Sequence, residues 1–387
     1  MHFTSSIFAA VLKPIERRRF KAIVERHDGD AYDKSFGSWQ HVLALTFAQL
    51  TGADSLRAIE TGFNAQSNHH YHLGCGKLSR STLADANARR PVAVFSELLG
   101  MLVNGLGRKA RNAAKQALQI IDSTPVPLSH MFACAASNGR IHGLKLHILH
   151  DLEGNCPLAA EITPANVNDI TFGRGLPIAA GLTYVFDKGY CHFGWWTSID
   201  NSKAFFVTRP KANMRWKTLR KRPLEDRRGD GFTIKADREV KLASKGCSKL
   251  PIFLRRITIT RDNGDTFDII SNDRQRSALE LAACYKARWQ IELFFKWIKQ
   301  NLNIKKFIAF NENAVRLQIL AAMIAFVLIH LARRLTGTKH SPRRFAELVA
   351  AFIHTRRNIA RIDKPPPINP SRPNPKSNPD QLTFAYA

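Results

Sequence analysis

The hydrophobic period of the chain changes near Gln116, and that change limits the folds open to it. Ahead of it the sequence reads as helices; beyond it, short apolar or alternating runs between turn residues read as strands. Gln116-Ala-Leu-Gln-Ile-Ile-Asp122 is a short, mostly apolar run ending in an acid. Ile141 to Asp151 alternates and meets a turn at Asp151-Leu-Glu-Gly154, and Cys156 to Thr163 is a third strand. Asn166 to about Ala180 is a helix candidate, and Leu182 to Phe186 and Ala204 to Thr208 supply two further strands. Strands joined by turns, then a helix, then more strands, describe a mixed α/β sheet.

A β-rich insertion occupies about 210–275, with alternating runs at Phe232 to Lys235, Ile252 to Thr260 and Thr266 to Ser271. After it comes Tyr285 to Lys299, which has no Pro or Gly and reads as one helix. At about 100° per residue, Tyr285, Arg288, Glu292, Lys296 and Lys299 fall within a wedge of roughly 80°. Ile291, Phe294, Trp297 and Ile298 fall opposite. One face is made for a core; the other carries a single carboxylate among cations and one phenol. That polar face is also what an ordinary solvated stripe with i,i+4 pairing looks like.

The expected organisation has four parts. Residues 1–110 form a helical DNA-binding domain and 111–335 an α/β domain carrying the insertion. Residues 336–363 form a C-terminal helical segment begun by Ser341-Pro342, and 364–387 a Pro-rich tail without a fixed fold. In the first part, Ser38 is a plausible N-cap for a helix ended by Thr51-Gly52, and Asp54-Ser55 caps another. Ser79, Arg80, Ser81 and Thr82 open a helix after a Gly-rich turn, as the recognition helix of a helix-turn-helix does; a capped surface helix has the same pattern.

Charge narrows the partners. Fifty-eight Lys and Arg against 31 Asp and Glu leave a net charge of +27, which points to a polyanion such as double-stranded DNA. Six cysteines lie singly with no C-x-x-C pair, the pattern of reduced thiols in a cytoplasmic protein. The cluster His69-His70-Tyr71-His72-Leu-Gly-Cys75 lacks a second ligand pair, so a structural metal is not expected there. The apolar run at Ile7 to Leu12 precedes its charges instead of following them, unlike a secretory signal. Leu317 to Ala332 falls short of the ~20 residues that span a bilayer and reads as a buried helix, so no membrane is expected.

Three acids stand out: Asp122 ending the first strand, Asp187 ending the fourth, and Glu292 on the helix. Strand ends and a helix packed across them can converge, and hard divalent cations want such oxygen ligands. Asp122 and Asp187 taken singly are equally ordinary turn residues.

With these residues in view, the sequence resembles a bacterial insertion-sequence transposase of the DDE class, in the insertion-sequence-4 family. That family's Y-x2-R-x3-E-x6-K signature matches Tyr285, Arg288, Glu292 and Lys299, and its D-x-G-[FY] motif matches Asp187-Lys-Gly189-Tyr190. Its first Asp follows an apolar strand, as in Ile120-Ile121-Asp122. The resemblance covers about 117–335 and implies an RNase H-like catalytic core with a β-rich insertion before the catalytic helix. It implies Asp122, Asp187 and Glu292 as ligands of two Mg²⁺ ions, with Mn²⁺ as a substitute. Tyr285, Arg288 and Lys299 would contact the phosphates of the element's end, aided by Lys296 and Trp289. The implied reaction is phosphoryl transfer: cleavage at terminal inverted repeats, a hairpin that is reopened, and joining to target DNA, performed by a homodimer on paired ends beside the bacterial nucleoid. A Trp stacked on a flipped base would favour the hairpin; Trp216 lies in the insertion, and Trp195 and Trp196 follow the second Asp. A non-catalytic DNA-binding derivative, or a nuclease of the same fold that cuts without joining, is the alternative.

Overall fold

The structure, a computed structural model, describes residues 5–364 apart from 32, 34, 66, 112–117, 129–135, 140, 225, 244–251, 302–306 and 310. The Pro-rich tail from residue 365 onward, Cys134 and Cys247 lie outside the described residues.

Among the described residues, α-helices come first: α1 (Ile7–Leu12), α2 (Arg17–Arg26), α3 (Ser38–Thr51), α4 (Leu56–Asn64), α5 (His70–Leu73), α6 (Arg80–Arg89) and α7 (Val92–Arg111). Their ends follow local chemistry. Gly52 takes the left-handed conformation that closes α3, and the Ser55 side chain accepts from Ala58 N–H to open α4. Ser38 was expected as the cap of α3, but Gly37 holds that position: Asp30 accepts the Ser38 N–H at 2.5 Å and the Ser38 hydroxyl turns to Gly29.

The sheet then forms from β1 (Leu118–Pro127), β2 (Ala136–Ser137), β3 (His142–Asp151), β4 (Cys156–Pro164), β5 (Thr183–Phe186) and β6 (Phe205–Thr208), with α8 (Asp169–Gly175) and α9 (Phe193–Asn201) between strands. β4, β3 and β1 are antiparallel neighbours; β5 then β6 run parallel to β1. This order, β4-β3-β1-β5-β6, is that of an RNase H-like core. The insertion supplies β7 (Trp216–Lys221), β8 (Arg228–Gly229), β9 (Phe232–Leu242), β10 (Leu254–Arg261) and β11 (Thr266–Ser271). It is not a separate sheet: β11 pairs with β6, and β10, β9 and β7 extend the same sheet outward. The helix expected from Asn166 to Ala180 is only the short α8, because Leu176 turns to extended backbone ahead of Pro177.

α10 (Ala278–Ala287), α11 (Trp289–Asn301), α12 (Glu312–Thr336) and α13 (Pro342–Phe352) complete the chain. α12 is long and apolar enough to cross a membrane, but 89% of its most apolar window is buried inside the protein. It is the core helix around which the N-terminal helices, α11, α13 and one face of the sheet pack. Strand alternation divides the burial. Ile120 faces that core, and Ile121 faces the opposite one with Phe186, Trp195 and Trp196.

Candidate active site

β1 runs on past Asp122 to Pro127, so this acid lies within a strand rather than at its end. What ends there is the parallel ladder: Ile121 pairs with Phe186, and the next residues on the two strands are Asp122 and Asp187. β5 stops at Phe186, and a short 3-10 turn carries Lys188 to Tyr190 away. Two acids on adjacent strands therefore follow the same ladder step, on strands roughly 4.8 Å apart.

Glu292 arrives from above on α11. The stretch expected to be one helix is two, broken at Arg288. The Arg288 N–H donates to Tyr285 O at 3.1 Å and the Ile291 N–H to Arg288 O at 3.2 Å, a tighter i→i−3 turn. The break changes the helical phase. Tyr285 was expected on the cationic face but belongs to the buried stripe of α10 with Ala278, Leu281 and Ala282, and is 5% exposed. Its ring packs against Phe267, with the guanidinium carbon of Arg288 5.9 Å from the ring centre.

Asp122, Asp187 and Glu292 line one open pocket of about 550 Å³, together with Ser123, Thr124, Arg288, Phe295, Lys296, Lys299 and Gln300. Arg288 stands among the acids. Its Nη1 donates to Asp122 Oδ2 at 2.9 Å and its Nη2 to Glu292 Oε1. Burial raises the Asp122 carboxyl; Arg288 and the Ser123 N–H (2.8 Å from Oδ1) pull it down, Asp187 and Glu292 repel it, and it rests at about 6. Burial opposes the charge of Arg288, but Asp122, Tyr285 and Glu292 outweigh it and hold the guanidinium charged.

The donor set is the one hard cations take: carboxylates of three separate elements on one solvent-open pocket. A guanidinium already neutralises two of them, which is the electrostatic task a cation would perform. Among the described residues no three His, Cys, Asp or Glu groups stand at ligating spacing, and Arg288 is what lies between Asp122 and Glu292. The acids are donors that a divalent cation takes, and Arg288 is the group a cation would have to displace from two of them.

The remaining expected residues divide. Lys296 and Lys299 line the acidic pocket; Trp289, 57% exposed, lines the neighbouring 760 Å³ pocket with Tyr285, Lys286 and Phe267. Trp195 and Trp196 are core residues, 4% and 0% exposed, so neither is an open stacking surface; Trp216, half-buried, packs against the same cluster. Ser79, Arg80, Ser81 and Thr82 do open a helix, and Ser79, Arg80 and Ser81 are exposed. None of them lines the acidic pocket. The Arg80 N–H donates to Glu60 Oε1 at 3.1 Å, so a carboxylate already sits at this helix N-terminus. Within the His69 to Cys75 stretch, the His70 ring bonds Phe63 O and the Cys75 thiol bonds His70 O. Ser123 and Thr124 were not expected at the pocket, although their place directly after Asp122 was a readable signal.

Comparison with known proteins matches residues 113–328 to the Transposase DDE domain and residues 4–76 to a Domain of unknown function (DUF4372). The chain is 54% identical over 304 residues, 79% of its length and 85% of the relative's, to "Putative transposase y4zB" of Sinorhizobium fredii. It is 28% identical over 260 residues, 66% of its length and 68% of the relative's, to "Probable transposase for insertion sequence element IS5377" of Geobacillus stearothermophilus. Among solved structures, the cryo-EM structure of the piggyBac transposase synaptic complex with hairpin DNA matches at a TM-score of 0.45 and 10% identity, over 94% of this chain and 81% of that one. That likeness is too loose to carry an activity.

Proposed function

The chain belongs to the transposase DDE-domain family, the DNA-cutting enzymes of transposition, and on that premise we propose that its acidic pocket cuts and joins DNA at the ends of an insertion sequence. The observation that carries the proposal is the meeting of Asp122, Asp187 and Glu292, from β1, the end of β5 and α11, in one pocket edged by Arg288, Lys296 and Lys299. The three carboxylates would hold two Mg²⁺ ions, with Mn²⁺ able to replace them. When bound, such ions activate the attacking oxygen and stabilise the leaving one.

The chain's own residues do the rest. Lys296, on the exposed face of α11, and Lys299, one turn on, bring fixed positive charge to the mouth of the pocket and neutralise the phosphates flanking the scissile bond. Arg288 exchanges its carboxylate partners for a phosphate oxygen, for which its planar donors are suited. Trp289, exposed beside the pocket, gives a nucleotide an aromatic surface. The freed 3′-OH attacks first the opposite strand, giving a hairpin, and after reopening the target. The helical region, through Ser79 to Thr82 and neighbouring basic side chains, reads the terminal inverted repeats. Two copies act on paired ends.

The test is a labelled duplex carrying the element's end, incubated with the protein and Mg²⁺. Nicked, hairpin and target-joined products are expected. Cutting without joining would replace this reading by a nuclease, and specific binding without cutting by a DNA-binding derivative.

A further inference from the structure

Behind the acidic pocket lies a group of partly buried polar residues that the chemistry above leaves without a task. Asp169 opens α8 and is one-quarter exposed. Its Oδ1 accepts from the Ser123 hydroxyl at 2.9 Å and from Lys145 Nζ at 2.9 Å, and Lys145 also donates to Val167 O at 2.7 Å. His147 Nδ1 stands 3.9 Å from the same oxygen, too far to bond, and burial holds that ring neutral. The other oxygen faces the second acidic motif. A Cβ placed on Gly189 would lie 3.0 Å from Asp169 Oδ2.

Ser123 is the residue after Asp122, and its backbone N–H donates to Asp122 Oδ1. Gly189 is two residues after Asp187. One carboxylate thus touches the neighbours of both strand-borne acids. It holds the Ser123 side chain from beneath, which orients the peptide N–H that grips Asp122. Its other oxygen lies close over Gly189, where an added Cβ would crowd it.

We infer that Asp169 is a positioning residue: with Lys145 it locks Ser123 and the turn at Gly189, and so fixes Asp122 and Asp187 at the spacing their shared cation requires. The inference rests on the proposed role of these acids. Gly189 now has a physical reason: its backbone is ordinary, and a Cβ there would press on the Asp169 carboxylate at 3.0 Å. Residues that orient ligands from behind typically change cation affinity or rate by about 10- to 100-fold when removed.

The test compares the full-length wild type with D169A, D169N, S123A, G189A and the D169A/G189A double variant. Mn²⁺ affinity is read by calorimetry, end cleavage by gel, and DNA affinity by titration of the terminal duplex. D169A and S123A are expected to lose about 10- to 100-fold in Mn²⁺ affinity and cleavage, with DNA affinity unchanged. D169N, which keeps an oxygen for Ser123, recovers most of the loss. G189A is damaging alone but adds nothing in the D169A background, because the clash is with the carboxylate it lacks. Wild-type Mn²⁺ affinity in S123A, or additive G189A and D169A effects, overturns the inference; should D169A fail to fold, S123A alone decides it. A wild type that neither binds Mn²⁺ nor cuts overturns the proposed function instead.

Discussion

Arg288 and Asp122 form an ion pair across 166 positions of sequence, Nη1 to Oδ2 at 2.9 Å, while the other arm of the guanidinium reaches Glu292. The pair stands where the three acids meet, so the state without cations has its own internal counter-charge. Removing that charge leaves carboxylates facing one another with nothing between them. Arg288→Gln is expected to lower stability in the presence of a chelator by about 1–3 kcal/mol, the cost of losing charged hydrogen bonds. Added Mg²⁺ or Mn²⁺ should restore most of it. Thermal melts with and without cation check this; a variant as stable as wild type in chelator would show the bridge to be energetically idle.

Glu292→Gln keeps an oxygen that Arg288 can hold but weakens the carboxylate as a cation ligand. End cleavage should fall by on the order of 10³-fold or more, the several kcal/mol that metal catalysis supplies. Duplex binding should stay near wild type, since Lys296 and Lys299 are untouched. Binding that collapses with cleavage would make Glu292 a structural residue.

The protein should lose stability on acidification. Burial lowers His41 to about 3 and His147, His150 and His330 to about 4. The folded chain keeps these rings neutral while the unfolded chain protonates them near 6.5. Their contribution is complete above that pH and is lost as the pH falls toward 4. Asp122 acts in reverse: its carboxyl is raised to about 6, so its contribution is lost as pH rises from about 4 to 6, offsetting one of the four rings. From these groups alone the steepest slope is about 4 kcal/mol per pH unit near pH 5. Melting at pH 7 and pH 5 without divalent cations tests the sign; a midpoint that holds or rises at pH 5 refutes it.

A net charge of +27 makes phosphate neutralisation the main source of duplex affinity. Binding to any duplex should weaken by about 10³-fold or more between roughly 50 and 200 mM salt. Titrations at stepped salt give the slope, and a flat response would mean the basic surface is not the DNA footprint.

Much of the fold was legible because periodicity is local. The apolar run ending at Asp122, the alternation from Ile141 to Asp151 and the β-rich stretch before Tyr285 all announce strands through residues a few positions apart. The acids could be named because motif spacing is also a local property. Tyr285 was misassigned because a helix wheel assumes one unbroken helix, and no residue type between Tyr285 and Lys299 signals the tight turn at Arg288. Trp195 and Trp196 are adjacent to a motif in sequence, yet the packing of α9 on Phe186 and Phe206 places them in the core.

The sequence by itself determined most of the elements, their order, the strong positive charge and the acids worth watching. Each follows from side-chain chemistry over short distances or from charge summed over the whole chain. Only the tertiary structure decided that Asp122 and Asp187 follow one ladder step, that Arg288 holds two of the acids, and that Asp169 sits behind Ser123 and Gly189. Most of those relations join residues far apart in the chain, up to the 166 positions between Asp122 and Arg288. They depend on strand register and helix docking, which are set by how the two faces of the sheet are buried and not by any local pattern.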